Sequence, residues 1–178
     1  KTLIWADEFN TDGAPNPAVW GYDLGSNNGW GNNEVQNYTN RADNAVVQGG
    51  VLKITAKKES YQGSNYTSAR LLSLNKYSFT YGRVDIRAKL PAGGGTWPAL
   101  WMLGSNIQTV GWPACGEIDI MEVRGQEPNI LHGSVHGPGY SGGNAITKSY
   151  SLTNDRLDSK FRVYAIEWGP DYIDFFVD

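Results

Sequence analysis

Between residues 83 and 90 the chain alternates without a break, with Val84, Ile86, Ala88 and Leu90 apolar and Arg83, Asp85, Arg87 and Lys89 charged. A period of two predicts a strand with one face in a core and the other in water. Val46-Val47 and then the segment from Val51 to Ala56, separated by Gly49-Gly50, predict a β-hairpin. The segment from Arg162 to Glu167 and the one from Tyr172 to Asp178 repeat the alternation, the latter with Ile173, Phe175 and Val177 on one face. No window sustains an apolar period of 3.6, and Gly, Asn, Asp and Pro punctuate the short segments. The pattern predicts an all-β chain folded as an antiparallel β-sandwich.

Length adds that 178 residues make one domain, 1–178, with no repeat, low-complexity tract or charge run to mark a linker. Hydrophobic residues at 40% and charged residues at 19% supply a core and exclude a disordered chain. A net charge of −3 offers no attraction to nucleic acid or to an anionic membrane. The uncharged stretch from Leu90 to Gly116 carries Pro91, Pro98, Pro113 and six glycines, so it reads as buried strand and cleft loop rather than a membrane span. The first residues, Lys1-Thr2-Leu3-Ile4-Trp5, lack the apolar run of a signal peptide, and any export signal is expected to be outside this sequence. Cys115 is the one cysteine and excludes an internal disulfide, leaving the redox compartment open. Sequons at Asn37 and Asn65 are compatible with export.

The densest acidic feature is Gly116-Glu117-Ile118-Asp119-Ile120-Met121-Glu122-Val123. On a regular strand Glu117 and Asp119 share a face while Glu122 points the opposite way, into the core, where a lone carboxylate is costly. One extra residue, a β-bulge near Ile120-Met121, brings all three acids to one face. Glu117 and Glu122 are then four strand steps apart, on the order of 13 Å between Cα atoms. Leaning together, their carboxyls could reach the roughly 5 to 5.5 Å separation of a retaining glycosidase, with Asp119 between them to hydrogen-bond or tune the first. A solvated face of ordinary acids is the plain alternative. The aliphatic content of the segment argues for a central strand, and Trp97, Trp101 and Trp112 nearby offer flat surfaces for sugar rings.

Gly116-Glu117-Ile118-Asp119-Ile120-Met121-Glu122 resembles the E-x-D-x-x-E signature of glycoside hydrolase family 16 in its bulged form. Further segments resemble the laminarinase branch, in the family's order and over nearly the whole chain. They are Ile4-Trp5-Ala6-Asp7-Glu8-Phe9-Asn10, Gly29-Trp30-Gly31-Asn32-Asn33-Glu34-Val35-Gln36, Tyr66-Thr67-Ser68-Ala69-Arg70, Tyr81-Gly82-Arg83, and Gly95-Thr96-Trp97-Pro98-Ala99-Leu100-Trp101-Met102-Leu103. The resemblance implies a jelly roll with a concave substrate cleft and a secreted, retaining endo-β-1,3-glucanase. Mixed-linkage β-1,3-1,4-glucan is the runner-up substrate, galactans such as agar a distant third, and a non-catalytic β-glucan-binding protein the rival class. In this likeness Glu117 is the nucleophile, Glu122 the general acid/base and Asp119 the assisting acid. Trp97 and Trp112 take the place of cleft aromatics. Trp101 fits either the cleft or the core, since Trp also fills sandwich cores. Asn33 resembles a glucan-contacting position, and so does Arg70, for which a surface ion pair is the alternative.

His132 and His136, four apart on an extended strand, are too far from each other for one zinc ion. The segment from Ile130 to His136 is expected to return beside the acidic strand with His132, Ser134 and His136 on one face, His136 helping to hold the acids or contacting substrate, and His132 structural. Cys115 reads as a small buried filler. The family likeness also implies a structural calcium ion near Glu8 and the backbone of Gly50, although the usual C-terminal aspartate ligand is not in the sequence. Family domains continue through closing strands beyond the point reached at Asp178. A monomer is therefore expected that needs a second segment, and that would not be stable by itself as an enzyme.

Overall fold

The computed structural model describes residues 2–178, which form two compact units divided between Ser78 and Phe79. The first unit holds β1 (Gly21–Asp23), β2 (Gln36–Tyr38), β3 (Ala45–Val47), β4 (Leu52–Ile54), β5 (Lys57–Tyr61), β6 (Ser64–Ser68) and β7 (Arg70–Leu72). The β3–β4 hairpin lies where the glycine pair predicted it, with Val46 opposite Lys53. One pair departs from a purely antiparallel arrangement: β2 runs parallel to β6, Asn37 opposite Thr67. Parallel neighbours need a long connection, and β3, β4 and β5 lie within the one between them.

The interior of the first unit is strongly polar. Asn44 and Thr67 are fully buried. Asn44 Nδ2 donates to Thr67 Oγ1 at 2.9 Å and to the Thr55 carbonyl at 3.0 Å, while Arg41 pairs with Glu59 and donates to Asn44 Oδ1. Each of these buried groups therefore finds a partner, which is what lets polar side chains occupy an interior.

The second unit holds β8 (Gly82–Ala88), β9 (Ala99–Leu103), a single turn of helix α1 (Ile107–Val110), β10 (Glu117–Glu122), β11 (Ile130–His136), β12 (Ile146–Ser151), β13 (Arg162–Trp168) and β14 (Ile173–Val177). The strand and loop expected between Leu90 and Gly116 thus include β9, with α1 as a short addition. Two antiparallel sheets form, one ordered β12-β11-β10-β9 and the other β14-β13-β8. Ile120, Met121 and Leu131 from the first share one core with Tyr164 and Ile166 from the second, closed by Leu90 and Leu157. Val84, Ile86 and Ala88 pack against that core as their alternation predicts. Ile173 and Val177 do so as well. Phe175, on their face, stays 37% exposed with its ring over Gly133, where any added side chain would meet it. Among the described residues, no helix is long and apolar enough to cross a membrane.

Met121, 1% exposed, is among the largest fully buried side chains. Met121→Ala should lower the unfolding free energy by about 2–5 kcal/mol, read from the urea midpoint, because the backbone on both sides is paired and cannot collapse into the space.

Candidate active site

The acidic segment forms β10 between β9 and β11, and its register carries the extra residue. Asp119 lies opposite Trp101 on β9 and Met121 opposite Leu100, so two steps on β10 match one on β9. On the other side Asp119 lies opposite Ser134 and Glu122 opposite His132, three steps against two. Ile120 and Met121 both enter the core, at 2% and 1% exposure, and Glu122 returns to the face of Glu117 and Asp119. Between Glu117 and Glu122 the neighbouring strands advance four residues, from His136 to His132 and from Leu103 to Ala99.

Directly opposite residues share a face, so β11 presents His136, Ser134 and His132 beside the acids. The same rule places Trp101 on the acid face, while Leu100 and Met102 pack against the core. Trp112 and Trp97 each stand 49% exposed and each engage one glutamate. Trp112 Nε1 donates to Glu117 Oε2 at 2.5 Å, and the Trp97 side chain hydrogen-bonds Glu122. His136 Nε2 lies 2.9 Å from Asp119 Oδ2, and its ring centroid lies 6.0 Å from that of Trp112.

Electrostatics separates the acids. Asp119 is 4% exposed, and burial, its hydrogen bond to Glu117 and the charges of both glutamates push its pKa up to about 9. It is therefore a proton donor at neutral pH. Burial also raises the pKa of Glu122, with the Glu117 charge adding to the rise and the Trp97 hydrogen bond opposing it. A raised proton affinity at Glu122 is what a general acid acting on a glycosidic oxygen needs.

The other expected site residues lie in the first unit. Asn33 is an exposed residue with φ of 57° after the turn at Asn27–Gly31. Arg70 Nε pairs with Asp23 Oδ2 at 2.9 Å while its guanidinium covers the Trp30 ring at 4.7 Å, so the ion pair held open for it is present. Glu8 is exposed, and near Gly50 the Gly49 N–H donates to Asp12 Oδ1. Among the described residues, no trio of acidic, His or Cys ligand atoms gathers around Glu8; calcium also takes backbone carbonyls such as the one expected at Gly50, so the ion stays an implication of the family likeness. The trio that does gather is Glu117, Asp119 and His136, with ligand atoms within 4.8 Å of one another. Those atoms are already engaged in the hydrogen bonds just described. His132 donates to or accepts from Ser149 Oγ through Nδ1 at 2.8 Å, and Cys115 is half-buried with its thiol on the Gly116 carbonyl. What the sequence did not reveal is the pairing of one indole N–H with each glutamate, since Trp97 and Trp112 stand far from the acids along the chain or across a loop.

Residues 32–178 match the family model for glycosyl hydrolases family 16. The chain belongs to this family. It is 51% identical over 99% of its length to a beta-glucanase of Rhodothermus marinus, of which it spans 62%, and 40% identical to glucan endo-1,3-beta-glucosidase A1 of Niallia circulans, of which it spans 28%. The chain thus covers less than two thirds of either relative. Among solved structures, the catalytic domain of an endo-1,3-beta-glucanase (laminarinase) from Thermotoga petrophila matches 99% of this chain with a TM-score of 0.93 at 44% identity, covering 73% of that structure. The fold class is the family's all-β jelly roll.

The raised pKa of Asp119 is also a stability statement. Between pH of about 4, where it titrates unfolded, and about 9, the native chain holds a proton the unfolded chain has released, so stability falls as pH rises through that window. Asp119→Asn, neutral throughout, should remove this slope. Urea midpoints at both ends of the window should show the variant gaining on the parent as pH rises, and a variant that keeps a constant offset or loses ground would contradict a buried Asp119 with a raised pKa.

Proposed function

We propose that this chain carries the catalytic machinery of a retaining endo-β-1,3-glucanase acting on laminarin-like polysaccharide. The observation that carries the reading is the bulged β10, which sets Glu117, Asp119 and Glu122 on one face with an exposed tryptophan bonded to each glutamate. Glu117 attacks the anomeric carbon as the glycosidic C–O bond breaks, and Glu122 gives its proton to the leaving oxygen. Glu122, now a carboxylate, takes a proton from water, whose oxygen displaces Glu117 and restores both groups. Asp119, protonated, remains a hydrogen-bond donor to Glu117 throughout. Trp97 and Trp112 present their open faces as platforms for glucose rings. A polymeric substrate of this kind lies outside the cell, which is where such an enzyme would act. The same fold can bind glucan without cleaving it, but binding alone gives no use for a buried Glu122 with raised proton affinity on the face of Glu117.

Release of reducing ends from laminarin tests the reading: strong binding without release would make the chain a glucan-binding protein, and release from mixed-linkage glucan alone would change the substrate. Glu117→Ala should cut turnover at least about 10³-fold. Azide should restore part of it by attacking the anomeric carbon from the vacated side, yielding a glycosyl azide of inverted configuration. Full activity without azide would remove Glu117 from the nucleophile's role. Glu122→Gln should slow laminarin far more than activated aryl glucosides, whose leaving oxygens need little protonation. Equal losses on both would contradict its role as the acid.

A further inference from the structure

A backbone N–H can only donate a hydrogen bond, and the one at Gly142 lies 3.1 Å from His136 Nδ1. Nδ1 must therefore present its lone pair, and the ring proton sits on Nε2. At 2.9 Å from Nε2, Asp119 Oδ2 must then accept. Burial and the neighbouring glutamates favour a proton on Asp119, whose second hydrogen-bonded partner is Glu117. With the opposite tautomer, Nε2 would accept, and Asp119 could spend its proton on the histidine instead. The second histidine of β11 has no such constraint: His132 Nδ1 faces the Ser149 hydroxyl, which can donate or accept.

We propose that Gly142 and His136 are positioning residues for the nucleophile: the Gly142 amide selects the Nε2–H tautomer of His136, which obliges Asp119 to direct its proton to Glu117. The turn at Gly142–Asn144 that carries this amide is thereby part of the acid site, although none of its side chains bears a charge. The consequence for Glu117 is two donors, the Trp112 indole and Asp119, holding its carboxylate in one orientation for attack. The same tautomer argues against a metal centre at the Glu117, Asp119 and His136 cluster, because a nitrogen that carries a proton offers no lone pair to an ion.

This inference deepens the glucanase reading, and its first test does not depend on activity. Two-bond ¹H–¹⁵N correlation spectra of the ¹⁵N-labelled protein, at about pH 8 where an ordinary histidine is neutral, report which ring nitrogen carries the proton. The expected result is a protonated Nε2 and a lone-pair Nδ1 for His136. A proton on Nδ1 would overturn the proposal whether or not the protein hydrolyses laminarin. The second test compares two variants on laminarin. His136→Phe loses the donor to Asp119, and kcat should fall roughly 10- to 100-fold with KM changed by less than about twofold. His136→Gln places an amide N–H where Nε2 stood, and kcat should recover to within about fivefold of the parent. A His136→Gln variant as slow as His136→Phe would show that filling the site matters and donating does not, and the proposal would fall. Should His136→Phe not fold, the parent spectrum and the His136→Gln rate relative to the parent still decide.

Discussion

One surplus residue in β10 governs the acid site. A strand alternates its side chains with a period of two, and five residues separate Glu117 from Glu122. Without the bulge one glutamate would face Tyr164 and Ile166 in a dry core, where an unpaired charge costs several kcal/mol. With it, Ile120 and Met121 go into the core side by side, Val123 follows them, and the three acids come out together. Both neighbouring strands accept the irregularity, so the acids sit in a central strand fixed on each side rather than on a loop. Rigid placement of this kind is what a displacement at a single carbon demands.

Once the acids share a face, their mutual repulsion has to be managed. Three ionised carboxylates so close together in partial burial would destabilise the sheet, and the site resolves this by giving them unequal surroundings. Asp119 is the most enclosed and keeps its proton. Glu117 receives the Trp112 indole N–H. Glu122 is pulled both ways, burial favouring the acid and the Trp97 hydrogen bond the carboxylate. The tryptophans thus each engage a carboxyl while standing 49% exposed.

The first unit is organised by different means. Beside buried Ala45, Val47 and Ala69, its interior holds a hydrogen-bonded network of Thr39, Asn44 and Thr67, joined by the partly exposed Arg41 and Glu59. Arg70 is held between Asp23 and the ring of Trp30, which fixes the orientation of its guanidinium.

Alternation at Val84, Ile86, Ala88 and Leu90, the glycine pair before Val51 and the unbroken absence of a helical period were enough to establish an all-β chain, because the side-chain period of a strand is a local property. The bulge was legible too, since the identity of the three acids left few ways to avoid burying one. Pairing was less so. The parallel run of β2 beside β6 depends on how a long connection folds back, and nothing in either segment encodes it. Trp101 suited core or cleft by its chemistry, and only its place opposite Asp119 put it on the acid face. The indole bonds to each glutamate and the Gly142 amide on His136 join residues whose distance in space is decided by loop geometry. Residue types and spacing therefore determined which chemistry the chain could carry. Which atom holds each proton was left to tertiary structure, because a hydrogen bond is settled by angstroms that no pattern along the chain records.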